Sequence, residues 1–368
     1  MQRVAPVIGK LGVGGVSTLA WLLVGVAAGD ALAEERKAAE GGDLHAQYQM
    51  AVAYMKGSGV PVDLAVSMVW MEKAARQDLA PAQYAIGLAY DEGRGVEQSY
   101  PRAFRWLKKA ADSGVLQAQL KTGILYVEGL GTPRSASRAV HYFTLAAKQG
   151  NALSQYKLGS LYYRGKGTQK DLPVAADWFT KAARQGDVNA QHDLAVMVEQ
   201  GVGVVRNYET ALAWYSKAAA QDHVNAAYKV GVLRTMNLPG HPELKDSADA
   251  LKHFRVAAEQ GHLAAMNNLG VILTESADND AMQLEGLTWL GRAAKKGHPR
   301  AQYNIGKIYL AGKVAQQDKV EAYYWIYQAN LNGYGKAARM LNQLADEMSV
   351  DELIEAQRKA QLRRQAEK

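Results

Sequence analysis

From Ser154 to Gly186 the chain reads SQYKLGSLYYRGKGTQKDLPVAADWFTKAARQG. Gly165-Lys166-Gly167 parts an apolar first half from a second half that opens at Asp171 and carries Ala175, Trp178, Ala182 and Ala183. The stretch decides the fold because the chain repeats it. Ser154 belongs to a ruler of small residues, Ala46, Ala82, Ala118, Ser154, Ala190, Ala226, Ala265, Ala301 and Ala337, spaced by 36 residues except for the 39 between Ala226 and Ala265. Trp70, Trp106, Trp178, Trp214, Trp289 and Trp325 keep the same ruler, with Tyr142 and His253 in the two remaining slots. An Ala-Ala pair follows that slot in every unit but the eighth, from Ala74-Ala75 to Ala293-Ala294. Such a period marks a repeat solenoid, eight units over 46–336 that bury their apolar faces only by stacking.

Each unit reads as two helices. In the second unit Ala82, Ile86 and Tyr90 recur four apart, on one helical face. Gly93 and Gly95 end that helix, because glycine reaches the positive φ that a helix terminus uses. One slot, occupied by Asp63, Ser99, Ser135, Asp171, Asn207 and Asp318, precedes the second helix and can accept hydrogen bonds from its free N–H groups. Pro101 and Pro173 fall in the first turn, where no N–H is needed. Gly87, Gly123, Gly159, Gly231, Gly270 and Gly306 sit mid-helix, with Ala51 and Ala195 in the same slot. A mid-helix glycine costs about 1 kcal/mol relative to alanine. Its recurrence therefore points to close backbone approach, with a large aromatic filling the space, and the tryptophan series is expected in the core. The expected fold is all-α, a right-handed superhelical solenoid of two-helix repeats with a C-terminal capping helix.

The run Leu158-Gly159, Tyr162, Gly165-Lys166-Gly167, Asp171, Ala175, Trp178, Ala182-Ala183 and Gly186 resembles the Sel-one-like repeat, a relative of the tetratricopeptide repeat. The resemblance covers nearly all of the chain after its N-terminal segment. It implies an α-solenoid that holds protein partners together, as adaptors of this family do. Cysteine-rich bacterial relatives with a proposed β-lactamase activity also exist, but the cysteine pairs that staple their repeats are absent, because this chain has no cysteine. Two units depart from the pattern. The sixth carries Met236-Asn237-Leu238-Pro239-Gly240-His241-Pro242 and the three extra residues, and the seventh replaces its glycines with a polar run over 274–280. Both read first as tolerated insertions and second as contact points. Residues 337–346 read as one more first helix. Ser349 and Glu352 then form a capping box for a final helix with a basic end, Arg358, Lys359, Arg363, Arg364 and Lys368, so that 337–368 caps the stack.

The N-terminal 33 residues read as an address. Arg3 and Lys10 precede an apolar run from Leu11 to Gly29, and Ala31-Leu32-Ala33 supplies a small-x-small cleavage site. Cleavage after Ala33 leaves 34–45 as a lead into the first unit, and an uncleaved anchor is the competing reading. Export of a chain without cysteine suits an oxidising compartment. The lack of an Asn-x-Ser/Thr sequon in its 368 residues favours a bacterial periplasm or the cell exterior over a glycosylating lumen. The 43 Lys+Arg against 36 Asp+Glu make a diffuse excess of +7 that does not point to nucleic acid.

No catalytic, cofactor or metal constellation is legible. His223, His262 and His298 share one slot on the ruler and read as structural, and His241 has no second histidine at ligand spacing. Gly129-Leu130-Gly131 and its siblings are turns between helices, not phosphate cradles. The expected function is a non-catalytic interaction scaffold of the bacterial cell envelope that binds partners on its concave, first-helix side. The alternatives are a secreted virulence factor that binds a host protein, and a hydrolase or binder of cell-wall peptides or β-lactams. The candidate contact stripe lies three and ten residues after each leading alanine: Lys121, Glu128, Lys157, Arg164, Asp193, Gln200 and Lys229. Its four cations against three acids or amides suit an acidic protein segment or an anionic envelope polymer. The membrane enters only through an uncleaved N-terminal segment.

Overall fold

The computed structural model describes residues 32–237, 241–275 and 279–366. Nearly all of the expected export segment, and the tips of both irregular loops, lie outside the described residues. The chain divides into two compact units, one ending at Lys170 and the other starting at Asp171, so the division falls inside the fourth repeat. Among the described residues all regular structure is helical. The first unit holds a helix over 32–40 (α1), then α2 (Leu44–Lys56), α3 (Leu64–Arg76), α4 (Ala80–Glu92), α5 (Tyr100–Asp112), α6 (Leu116–Glu128), α7 (Ala136–Lys148) and α8 (Ala152–Arg164). The second holds α9 (Leu172–Arg184), α10 (Val188–Gln200), α11 (Tyr208–Ala219), α12 (Val224–Thr235), α13 (Ser247–Glu259), α14 (Leu263–Thr274), α15 (Asp280–Lys295), α16 (Pro299–Ala311), α17 (Lys319–Leu331), α18 (Gly335–Glu347) and α19 (Val350–Ala366). Within each unit the helices from α2 to α18 pack on their neighbours in the chain, which makes an all-α solenoid.

The glycines act where two backbones meet. A Cβ on Gly123 would lie 2.6 Å from the Phe143 ring, so only the bare α-carbon lets α6 and α7 close on each other. Gly131, at φ 68°, brings the loop after α6 across the start of α5, where a Cβ would overlap the Tyr100 carbonyl. The side chain that fills the mid-helix space is not the tryptophan of the ruler but its successor. Met71, Leu107, Phe143, Phe179, Tyr215, Phe254, Leu290 and Ile326 are all buried, none more than 2% exposed. Trp70, Trp289 and Trp325 are buried as expected, whereas Trp106, Trp178 and Trp214 are only half-buried. The physical reason is angular. The buried side of α5 runs through Ala103, Leu107, Ala110 and Ala111, and Trp106 stands at its border. Its outer face is covered by a cation one turn on, at 5.3 Å for Lys109 over Trp106 and 4.2 Å for both Lys181 over Trp178 and Lys217 over Trp214.

Caps set the helix starts. Asp63, Ser135, Asp171, Asn207 and Asp318 each accept a hydrogen bond from the N–H three residues on. Ser99 holds the slot without making the bond. Beyond the irregular loops, Asp246 and Asn279 recover the same role for α13 and α15. In six of the eight repeats a buried glutamine just after the leading small residue ties the first helix to the helix before it, while Ala227 and Met266 hold the slot in the sixth and seventh. Gln47, Gln83, Gln119, Gln155, Gln191 and Gln302 donate to the carbonyls of Ala39, Ala75, Ala111, Ala147, Ala183 and Ala294 at 3.0–3.2 Å. At the C-terminus the capping box forms: Ser349 N–H donates to Glu352 at 2.8 Å and Glu352 N–H to the Ser349 hydroxyl at 3.3 Å. The final helix α19 lies on α17, where Ala356 and Ala360 are buried and Lys359 pairs with Glu321.

Candidate partner-binding surface

Lys121, Glu128, Lys157 and Arg164 lie on first helices of the first unit, and Asp193, Gln200 and Lys229 on those of the second. Stacking changes what this stripe offers. The Lys121 ammonium reaches back to the preceding repeat and pairs with Asp91 at 2.6 Å, where Asp91 is only 9% exposed. In the second unit Lys229 does the same with Glu199 at 3.0 Å. Glu199 also accepts from the Tyr215 hydroxyl at 2.6 Å, and burial together with that carboxylate holds the hydroxyl well above the usual tyrosine range. Asp193 meets Nδ1 of His192 at 3.0 Å, and the His192 ring stacks on His223. Two of the four expected cations are therefore rungs between neighbouring repeats rather than outward charges. Glu128, Arg164 and Gln200 are exposed, and Lys157 is half-buried.

The third and fourth repeats differ from their neighbours at one slot. Where the second and fifth repeats place Asp91 and Glu199, the third places Val127 and the fourth Tyr163. That slot therefore offers Lys157 no carboxylate. Val127 is 47% exposed and Tyr163 36%, with Leu153 beside them at 39%. At 3.6 residues per turn, Leu153, Lys157 and Arg164 share one face of α8 while Tyr163 stands about 80–120° round from them, and Glu128 and Val127 hold the positions on α6 that match Arg164 and Tyr163. The 36-residue register that sets Lys121 against Asp91 sets Lys157 against Val127, so the exposed sides of α6 and α8 make one wall of the first unit. The wall is apolar and basic, with Glu128 as its one acid among these residues. Leu153, Val127 and Tyr163 were not legible as contact residues, because the ruler marks each only as a non-core position. The clue was the exchange of an acid for an apolar residue in a fixed slot.

The Sel1 repeat profile matches eight consecutive segments: 44–79, 80–115, 116–151, 152–187, 188–223, 224–262, 263–298 and 299–334. Among solved structures, the chain is similar to a protective antigen present in uropathogenic Escherichia coli strains that displays an SLR fold. The two are 27% identical with a TM-score of 0.64, over 89% of this chain and 85% of that one. It is also similar to a Sel1 repeat protein from Oxalobacter formigenes, at 26% identity and a TM-score of 0.62, over 92% of this chain and 97% of that one. No curated protein matches the chain.

Proposed function

The chain belongs to the Sel1 repeat family, whose members generally serve as protein-binding scaffolds, and from that premise we propose that it is a non-catalytic scaffold of the bacterial cell envelope that captures a protein partner on the α6–α8 wall. The observation that carries the site is the replacement of the acid of the neighbouring repeats by Val127 and Tyr163 beside Lys157 and Arg164. Apolar side chains supply the area and the two cations supply orientation, so the fitting partner is a protein segment that mixes acidic and apolar residues. Reversing both charges, Lys157→Glu with Arg164→Glu, is expected to abolish capture of the partner from envelope extract. Far-ultraviolet circular dichroism should stay unchanged and wild-type capture should weaken with salt. Capture that survives the double reversal and is indifferent to salt moves the site elsewhere.

Export rests on the basic start, the apolar run and Ala31-Leu32-Ala33. The mature chain is expected to begin at Glu34 and to fractionate outside the cytoplasm; N-terminal sequencing that returns earlier residues makes it an anchored protein. The likeness to a protective antigen of uropathogenic strains supports a second reading, a secreted factor that binds a host protein. Recovery of the chain from culture medium rather than periplasm favours that reading. Nitrocefin turnover by the mature chain that a single substitution removes would instead make it a hydrolase.

A further inference from the structure

In the longer sixth repeat the segment that starts at His241 lies against the repeat before it. His241, just after the irregular loop's tip, brings Nδ1 to 2.5 Å from Glu209 Oε1 in the first turn of α11 and to 3.3 Å from Glu243 Oε1. One ligand atom from each of the three residues lies within 4.8 Å of the others. The edge of Tyr208 meets the imidazole with ring centres 6.0 Å apart, so the first turn of α11 supplies both a carboxylate and a support for the ring. Neither feature could be read along the chain, because Glu209 belongs to a different repeat from His241.

The chemistry of the cluster is unbalanced without a cation. An imidazole nitrogen carries at most one proton. Its N–H can serve one carboxylate and leaves the second negative charge close by with no donor from the ring. A divalent ion takes the nitrogen lone pair and both carboxylate oxygens together, and neutralises both acids. One imidazole and two carboxylates form a donor set suited to zinc and its first-row neighbours, with a fourth position open to water. Bond lengths of about 2.0–2.2 Å in a tetrahedral site set ligand atoms roughly 3.3–3.6 Å apart, so Nδ1 and Glu209 Oε1 must part from their 2.5 Å hydrogen-bond distance while the wider spacing closes. The Glu209 and Glu243 side chains, 44% and 60% exposed, have room to do so. We propose that Glu209, His241 and Glu243 bind one zinc-class divalent ion, which staples the irregular loop of the sixth repeat to α11 of the fifth.

The test is calorimetric titration of the full chain, stripped with chelator, with zinc chloride at about pH 7.5, since metal binding competes with protons for the ligand atoms. One zinc per chain is expected. His241→Ala and Glu209→Gln should each weaken binding roughly tenfold or more with helix content retained. His45→Ala, at an exposed histidine of the first unit, should leave the titration unchanged. Glu243→Gln, in the short turn outside the α-helices, keeps the measurement decisive if either of the other variants fails to fold. No binding, binding indifferent to His241 and Glu243, or binding equally lost in His45→Ala would each overturn the site. In the first case the cluster is a proton-bridged latch alone.

Discussion

Phe143 and Trp178 make a test of which side chain holds a repeat together. Phe143 is 1% exposed and lies against the bare α-carbon of Gly123, so removing its ring leaves a cavity that Gly123 has no side chain to fill. Phe143→Ala is expected to cost roughly 3–5 kcal/mol. Trp178 is half-buried and its ring already faces Lys181 at 4.2 Å, so Trp178→Ala should cost markedly less, about 1–2 kcal/mol of lost apolar contact. Urea denaturation of both variants ranks them; a larger loss from Trp178→Ala would return the tryptophan series to the core. Gly123→Ala should also destabilise, because the added methyl would stand 2.6 Å from the Phe143 ring. The tryptophan ruler marked the repeat reliably and the core residue only approximately. Periodicity locates a slot to the residue, but burial depends on the angle at which that slot faces its neighbour.

The starts of the first helices change chemistry along the second unit, where Asp187 still caps α10 before histidines take the slot. In the first unit α2 and α8 are capped by Asp43 and Asn151, while α12, α14 and α16 of the second are capped by His223, His262 and His298. In each histidine Nδ1 accepts from the alanine N–H three residues on, at 3.1–3.2 Å, which requires that nitrogen to be unprotonated. Burial holds all three below the ordinary histidine range, helped by His192 at His223 and by Arg300 and His262 at His298. The unfolded chain therefore binds these protons more readily than the folded one. Their stabilising contribution is complete above the ordinary histidine pKa, near about 6.5, and is lost as the pH falls below it through the depressed folded values. Hydrogen exchange should show α12, α14 and α16 losing protection between neutral and mildly acidic pH while α2 and α8 keep theirs. His262→Asn, which caps without titrating in this range, should remove the effect at α14. Uniform loss across both units would sink this account. The histidine slot was visible on the ruler as structural; its role was not, since capping needs a helix start located to the residue. The buried glutamines stood in the sequence too, after the leading small residue of six repeats, but a polar side chain reads as surface until a carbonyl eight residues back is brought to it. The ion pairs Lys121–Asp91 and Lys229–Glu199 lay beyond sequence reading for the same reason: each joins neighbouring repeats, and only the stack makes them neighbours.

A repeat stack is held mainly by contacts between neighbours, so damage at one end should stay local. The C-terminus offers the cleanest test, because α19 covers α17 with Ala356 and Ala360 and answers the Glu321 carboxylate with Lys359. Glu321 is 9% exposed with that helix in place. Deleting the chain after Met348 exposes apolar surface around Trp325, which shares a core cluster with Ala360, and also opens Glu321 to water. The lost apolar cover carries the cost of truncation, whereas Lys359→Met leaves Glu321 covered without this lysine, where the cost is the desolvated charge. Amide protection in α17, and in α16 which packs on it, is expected to fall by about tenfold or more, the factor that 1.4 kcal/mol represents. Protection in α2 to α8 should not change. Lys359→Met keeps the cover while removing the charge, so its protection in α17 should fall between those of the full and truncated chains. If truncation instead lowered protection evenly across both units, the chain would be unfolding as one cooperative body, and the nearest-neighbour description of its stability would fail.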